Sequence, residues 1–202
     1  MNEPSELPMA VLDKRRISFL VGRAAMMCAE ARRVLANIGL AVLALVFLAA
    51  CERDTESALR TKLGQWFFLG QTAYFESRSR CTGAMIHVTL AQPRANIAVQ
   101  TNLEEAKDAF RADGVAAIQI DGMTPAQLTD ALLLSGQGTF GKQALAAGAL
   151  AVSCFQGTEI GALLFEALNR PGAMLAYDMQ TTGLMILDPD EKRLFYVAGD
   201  VW

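Results

Sequence analysis

Apolar and polar positions divide the chain into one long uncharged stretch near its start and a series of shorter, periodic segments after it. From Val34 to Cys51 no residue is charged and Asn37 is the only strongly polar side chain. As a helix, this stretch would reach about 27 Å, close to the thickness of a bilayer's hydrocarbon core. Beyond it, Leu59, Leu63, Trp66, Phe67, Gly70 and Tyr74 recur at steps of three and four. That spacing predicts an amphipathic helix, capped by Asp54 or Thr55 and stopped by Ser77 to Arg80, with its aromatic stripe turned into a core.

Clustered β-branched and apolar residues then predict strands at Cys81–Ala91, at Asn96–Gln100 after the Pro93 break, and at Val115–Ile120. Between the last two, Thr101-Asn102 followed by Glu104 and Glu105 resembles a capping box, with Leu103, Ala106 and Phe110 on one face and Gly114 just beyond. Thr124-Pro125 is an N-cap and N1 pair that opens a helix through Leu134. Thr139–Phe155 is apolar on nearly every side and rich in Ala and Gly, the pattern of a helix surrounded by others in a central core. Thr158 caps a further helix with Ile160, Leu163, Leu164 and Leu168 facing inward, stopped by Asn169 to Gly172. The chain ends on a hairpin around Asp188 to Lys192, with Ala173–Asp178 as a third strand. Strands at both ends with helices between them predict an α+β fold, a mainly antiparallel sheet packed against helices on one face, preceded by a hydrophobic leader or anchor helix.

Charge separates the same two parts. Of the chain's 202 residues, those before Cys51 carry six basic and four acidic side chains, a balance of +2, so the total of −3 leaves −5 on the remainder. A mildly acidic body offers no basic surface for a phosphate backbone, which argues against nucleic acid as a partner. Arg32 and Arg33 stand directly before the apolar run, and positive residues tend to stay on the cytoplasmic side, so whatever follows Cys51 is expected to face outward.

The run closes on Leu48-Ala49-Ala50-Cys51. A basic pair, an apolar stretch and small residues before a cysteine resemble the signal of bacterial lipoprotein precursors. The resemblance implies diacylglycerol on the Cys51 sulfur, cleavage before Cys51 and a new N-terminus carrying fatty-acyl chains such as palmitate. Two or three such chains anchor a protein stably where one would be marginal. It covers only the leader, and no family is recognised for the part that follows. The residues before Val34 exceed a standard n-region, and a start at Met26 or Met27 would give a leader of ordinary proportions. The organisation expected is a signal region over 1–50 with its apolar helix at 34–50, a lipidated tether over 51–58, and a single extracytoplasmic domain over 59–202. The alternatives are an uncleaved single-span anchor and a buried soluble helix.

With Cys28 in the leader and Cys51 lipidated, Cys81 and Cys154 are the cysteines left in an outward-facing, oxidising compartment, and a Cys81–Cys154 disulfide is expected; two buried thiols are the alternative. His87 is the only histidine. In strand alternation it shares a face with Cys81, so a Cys81/His87 thiol catalyst is conceivable, against the plainer reading of a structural histidine. No cysteine pair has close zinc spacing, and no metal or cofactor is expected. Gly136 to Gly141 fits G-x-G-x-x-G, yet it follows a capped helix where a dinucleotide loop needs a strand, so a tight turn between helices is expected. Asp121, Asp178 and Asp200 fall at strand ends or turns, where carboxylates could perform acid–base work or simply make turns.

These features predict a bacterial cell-envelope lipoprotein, held to membrane lipid through Cys51 and facing the periplasm. Its domain is expected to bind or scaffold an envelope protein partner without catalysis. Two other readings remain. One is a single-pass anchor subunit whose apolar helix continues through Leu59–Leu69 as one rod, and the other is an envelope hydrolase built on Cys81/His87 or a carboxylate pair.

Overall fold

A computed structural model describes residues 53–135 and 139–199, all within the compact unit Cys51–Trp202. The Val34–Cys51 run with its lipobox, Gly136 to Gly138, and Asp200 lie outside the described residues.

Thr55 takes an extended conformation and its hydroxyl accepts from the Ala58 N–H, opening α1 at Glu56–Leu63. Trp66 therefore lies outside this helix, which begins at Glu56 after an extended Thr55. Nor does α1 extend to Tyr74 as its spacing suggests. It stops at Leu63, and Phe67–Ser77 is strand β1. The Arg60 guanidinium reaches across this break to donate to the Gly70 carbonyl (2.9 Å) and Thr72 Oγ1 (2.7 Å), fixing helix against strand. β1 turns at Ser77 to Arg80 into β2, Cys81–Pro93, and pairs with it antiparallel.

The expected Asn96–Gln100 strand shrinks to β3, Val99–Gln100. α2 follows at Leu103–Asp113, with Asn102 as the cap accepting from the Glu105 N–H and with Gly114, at φ 69°, as the left-handed terminator. β4 is Val115–Ile118. α3, Pro125–Leu134, begins on a full capping box in which Thr124 and Gln127 satisfy each other's backbone N–H groups. α4 is Thr139–Cys154 and α5 is Glu159–Leu168, so Thr139 to Gly141 of the G-x-G-x-x-G pattern belong to the first turn of α4 and not to a loop, while Gly136 to Gly138 are outside the described residues. β5 (Met174–Asp178), β6 (Gly183–Asp188) and β7 (Arg193–Gly199) complete the chain.

The seven strands form one sheet in the order β1-β2-β7-β6-β5-β4-β3. Every pairing is antiparallel except β3 with β4, which α2 joins as a crossover. The fold is α+β. Side chains alternate strictly across the sheet, so each central strand contributes to two cores. Leu175, Tyr177, Leu184, Ile186, Phe195 and Val197 point to one side, where they meet α2 to α5. Met174, Ala176, Met185, Leu187, Leu194 and Tyr196 point to the other, where Leu59 and Leu63 of α1 pack with Phe67 and Ile97. Helices therefore stand on both faces, not one as expected. The uninterrupted apolar runs of β5 to β7 record that double burial.

Candidate docking surface

The described residues nominated for chemistry do not come together. The Cys81 and Cys154 sulfurs are joined, with Cα atoms 6.1 Å apart, which ties the first residue of β2 to the last of α4. Cys81 is therefore no nucleophile, and the thiol catalyst is withdrawn. His87 is exposed on the same strand, six residues and about 20 Å further along. Asp178 is buried at the end of β5, paired with Lys62 at 2.8 Å and accepting from the Thr181 hydroxyl. Because Val115 pairs with Asp178 and Ile118 with Leu175, Asp121 lies beyond the opposite end of the neighbouring strand and is exposed. The carboxylates do not converge. Among the described residues no cluster of His, Cys, Asp or Glu could hold a metal, and no helix is long and apolar enough to cross a membrane.

One buried polar cluster escaped the sequence reading. Asp188 is fully buried between Arg170 (3.4 Å) and Arg193 (3.6 Å), a contact that joins the end of α5 to the final hairpin. At the other end of that hairpin, Tyr196 is buried and its hydroxyl is pushed up to about 12, chiefly by loss of solvent. Tyr177 is likewise raised to about 12 by burial and by its neighbour Asp178. Tyr74 reaches about 12 through burial and through donating to Glu76 Oε2, which in turn holds the Glu76 carboxyl below its usual value.

The feature without a structural role is on α4. Its inner side, Phe140, Gly141, Ala144, Ala147, Ala151 and Cys154, is buried as its composition suggests. The opposite side is bare, contrary to the expectation of a fully surrounded helix. Leu145 is 54% exposed and Val152 75%, and Ala149 between them is also exposed, a stripe at steps of four and three. Only Lys142 is charged along the whole helix. Across from the stripe, Phe165 on α5 is 68% exposed.

Small residues make the space between the two helices. Gly148, Ala151 and Val152 on α4 face Gly161, Leu164 and Phe165 on α5 around a groove of about 340 Å³. A second hollow, about 250 Å³ and bounded by Thr129, Ala144, Leu145 and Leu184, adjoins it through the shared Gly148 and Leu168. Single exposed hydrophobics are ordinary on protein surfaces; a row of them beside apolar hollows marks an interaction site. The signal was present in the sequence as a helix apolar all round, but periodicity alone does not say whether the outer side meets this chain or something else.

Compared with family models, curated proteins and solved structures, the chain matches none of them.

Proposed function

We propose that the chain is a bacterial cell-envelope lipoprotein, tethered to the membrane through Cys51 and facing the periplasm, whose α+β domain is a non-catalytic binding module. In this reading the domain engages an apolar component of the envelope through the α4–α5 surface. The observation that carries it is the bare stripe of Leu145, Ala149 and Val152 facing Phe165, an arrangement suited to contact and devoid of acid, base or nucleophile. The Cys81–Cys154 disulfide supports the compartment, since such bonds persist outside the reducing cytosol. The Leu48–Cys51 box supports the tether.

Intact mass after extraction of the full chain from membranes tests the tether. Cleavage before Cys51 with added acyl mass, both lost in Cys51→Ser, is the expected result. An uncleaved chain of full mass in the membrane replaces the lipoprotein with a single-pass anchor. Recovery from the cytosol without acylation removes both.

A further inference from the structure

A separate hollow lies on the α1 face of the sheet, away from α4. Its volume is about 500 Å³, within the range of small-molecule sites. Val115 and Asp178 pair across β4 and β5 and both line it; Val115 packs with the core on the α1 side, and Asp178 is paired with Lys62 of α1. Trp66, in the link between α1 and β1, is the one aromatic side chain of the lining, and Asp113, Met179 and Gln180 are its exposed residues. The Gly114 carbonyl accepts from the Met179 N–H (2.8 Å), which holds the end of α2, and Asp113 with it, against the β5–β6 turn.

The lining is fixed in place before any ligand arrives. The Trp66 N–H donates to the Leu63 carbonyl (3.0 Å), and its own carbonyl accepts from the Arg94 N–H (2.7 Å). Asp178 accepts from Lys62 Nζ, the Thr181 hydroxyl and the Gln180 N–H (3.0 Å), the last on Oδ1 alone. A carboxylate offers about four acceptor positions, so one remains on Asp178. Asp113 makes no ion pair among the described residues. It is the last residue of α2, whose carbonyl end carries partial negative charge. Arg111, the basic residue of that last turn, is drawn back to Asp108 (2.6 Å), and no lining residue is basic.

We infer that this hollow binds a small primary alkylamine in its protonated form, the ammonium meeting Asp113 and the open position on Asp178, and the alkyl stem lying against Trp66, Val115 and Met179. A cation is attracted both by the carboxylates and by the indole ring, whereas an anion meets only repulsion from the same groups. Three N–H donors on one ammonium match separate acceptors better than an uncharged head of equal size does. The inference is independent of the tether and of the α4–α5 surface.

The test uses the indole of the site as its own reporter. Full-chain Trp202→Phe in mild non-ionic detergent leaves Trp66 as the only tryptophan. It is titrated with n-pentylammonium chloride, with sodium chloride at equal ionic strength and n-pentanol as controls. A saturable change in emission with Kd on the order of 1 mM is expected, as for a ligand of about six heavy atoms. Asp113→Asn, at an exposed position, is expected to raise Kd about fivefold while leaving the urea midpoint unchanged. Trp66→Ala, followed by calorimetry, is expected to raise it by a similar factor. No saturable change, an equal response to n-pentanol, or an unaltered Kd in Asp113→Asn overturns the inference. Nα-acetyl-lysine amide is titrated in parallel; tighter binding than n-pentylammonium makes a lysine side chain of another polypeptide the occupant, which overturns the small amine.

Discussion

Removing the Cys81–Cys154 bond is the perturbation whose size follows most directly from the fold. The two residues are 73 positions apart, and the segment between them contains β2, β3, β4 and α2 to α4. In the chain-entropy description, closing a loop of that length restricts the unfolded state by about 4 kcal/mol, and measured values usually fall somewhat below this. Both positions are buried, Cys81 at 5% and Cys154 at 2% exposure, so serine would add a desolvation cost of its own. The double variant Cys81→Ala/Cys154→Ala isolates the crosslink better. Urea titration of the full chain in mild non-ionic detergent, followed by Trp66 fluorescence, is expected to show a loss of about 3–4 kcal/mol. Wild type in reductant should fall to a similar midpoint, and the double variant should be insensitive to reductant. Non-reducing peptide mapping should recover the two cysteines as one linked pair. Free thiols at both positions in protein from oxidising conditions, with one midpoint across all samples, would refute the reasoning.

Two further perturbations probe the cores. Asp188→Ala removes the fully buried carboxylate between Arg170 and Arg193 and leaves both to the more exposed Glu191, and a loss of about 3 kcal/mol is expected in the same titration; a change under about 1 kcal/mol would mean that Glu191 and solvent satisfy the arginines instead. The chain's three tyrosines, Tyr74, Tyr177 and Tyr196, all titrate near 12 in the fold against about 10 in the unfolded chain, so the unfolded state releases protons first. Their contribution is complete below pH 10 and is lost as pH rises to 12, on the order of 2–3 kcal/mol for each of the buried Tyr177 and Tyr196. Tyrosinate absorbance should therefore appear together with unfolding and not before it. Ionisation near pH 10 with the fold intact would contradict the burial.

Local chemistry was legible where it decided the structure. The caps at Asn102 and Thr124 and the terminator Gly114 involve only neighbouring residues, and each does what its side chain or φ dictates. β5 to β7 were legible because double burial leaves no polar interruptions in them. The segment from Trp66 to Tyr74 was misread because its aromatics suit a 3.6-residue period as well as a strand. Pairing of Phe67 with Pro93 and Tyr74 with Met85 across the hairpin decided between them, and no local signal carries that choice. The disulfide was reached through compartment and elimination, not geometry. The docking surface was hidden in plain composition: an apolar helix announces that both its sides are covered without naming the cover. Arg53 and Asp54 belong to the body, although they lie in a stretch that reads as charged tether.

The sheet's two rims differ in what they could recruit. β3 offers only two residues, too short to template a newcomer. β1 is long, yet its register slips between Phe67 and Leu69, again before Thr72 and again before Tyr74, so its outward N–H and C=O groups do not form an even ladder. A crimped border of this kind resists runaway fibril growth. Crowding many copies onto one patch of surface would then leave each of them a separate particle, free to pack side by side without fusing their sheets.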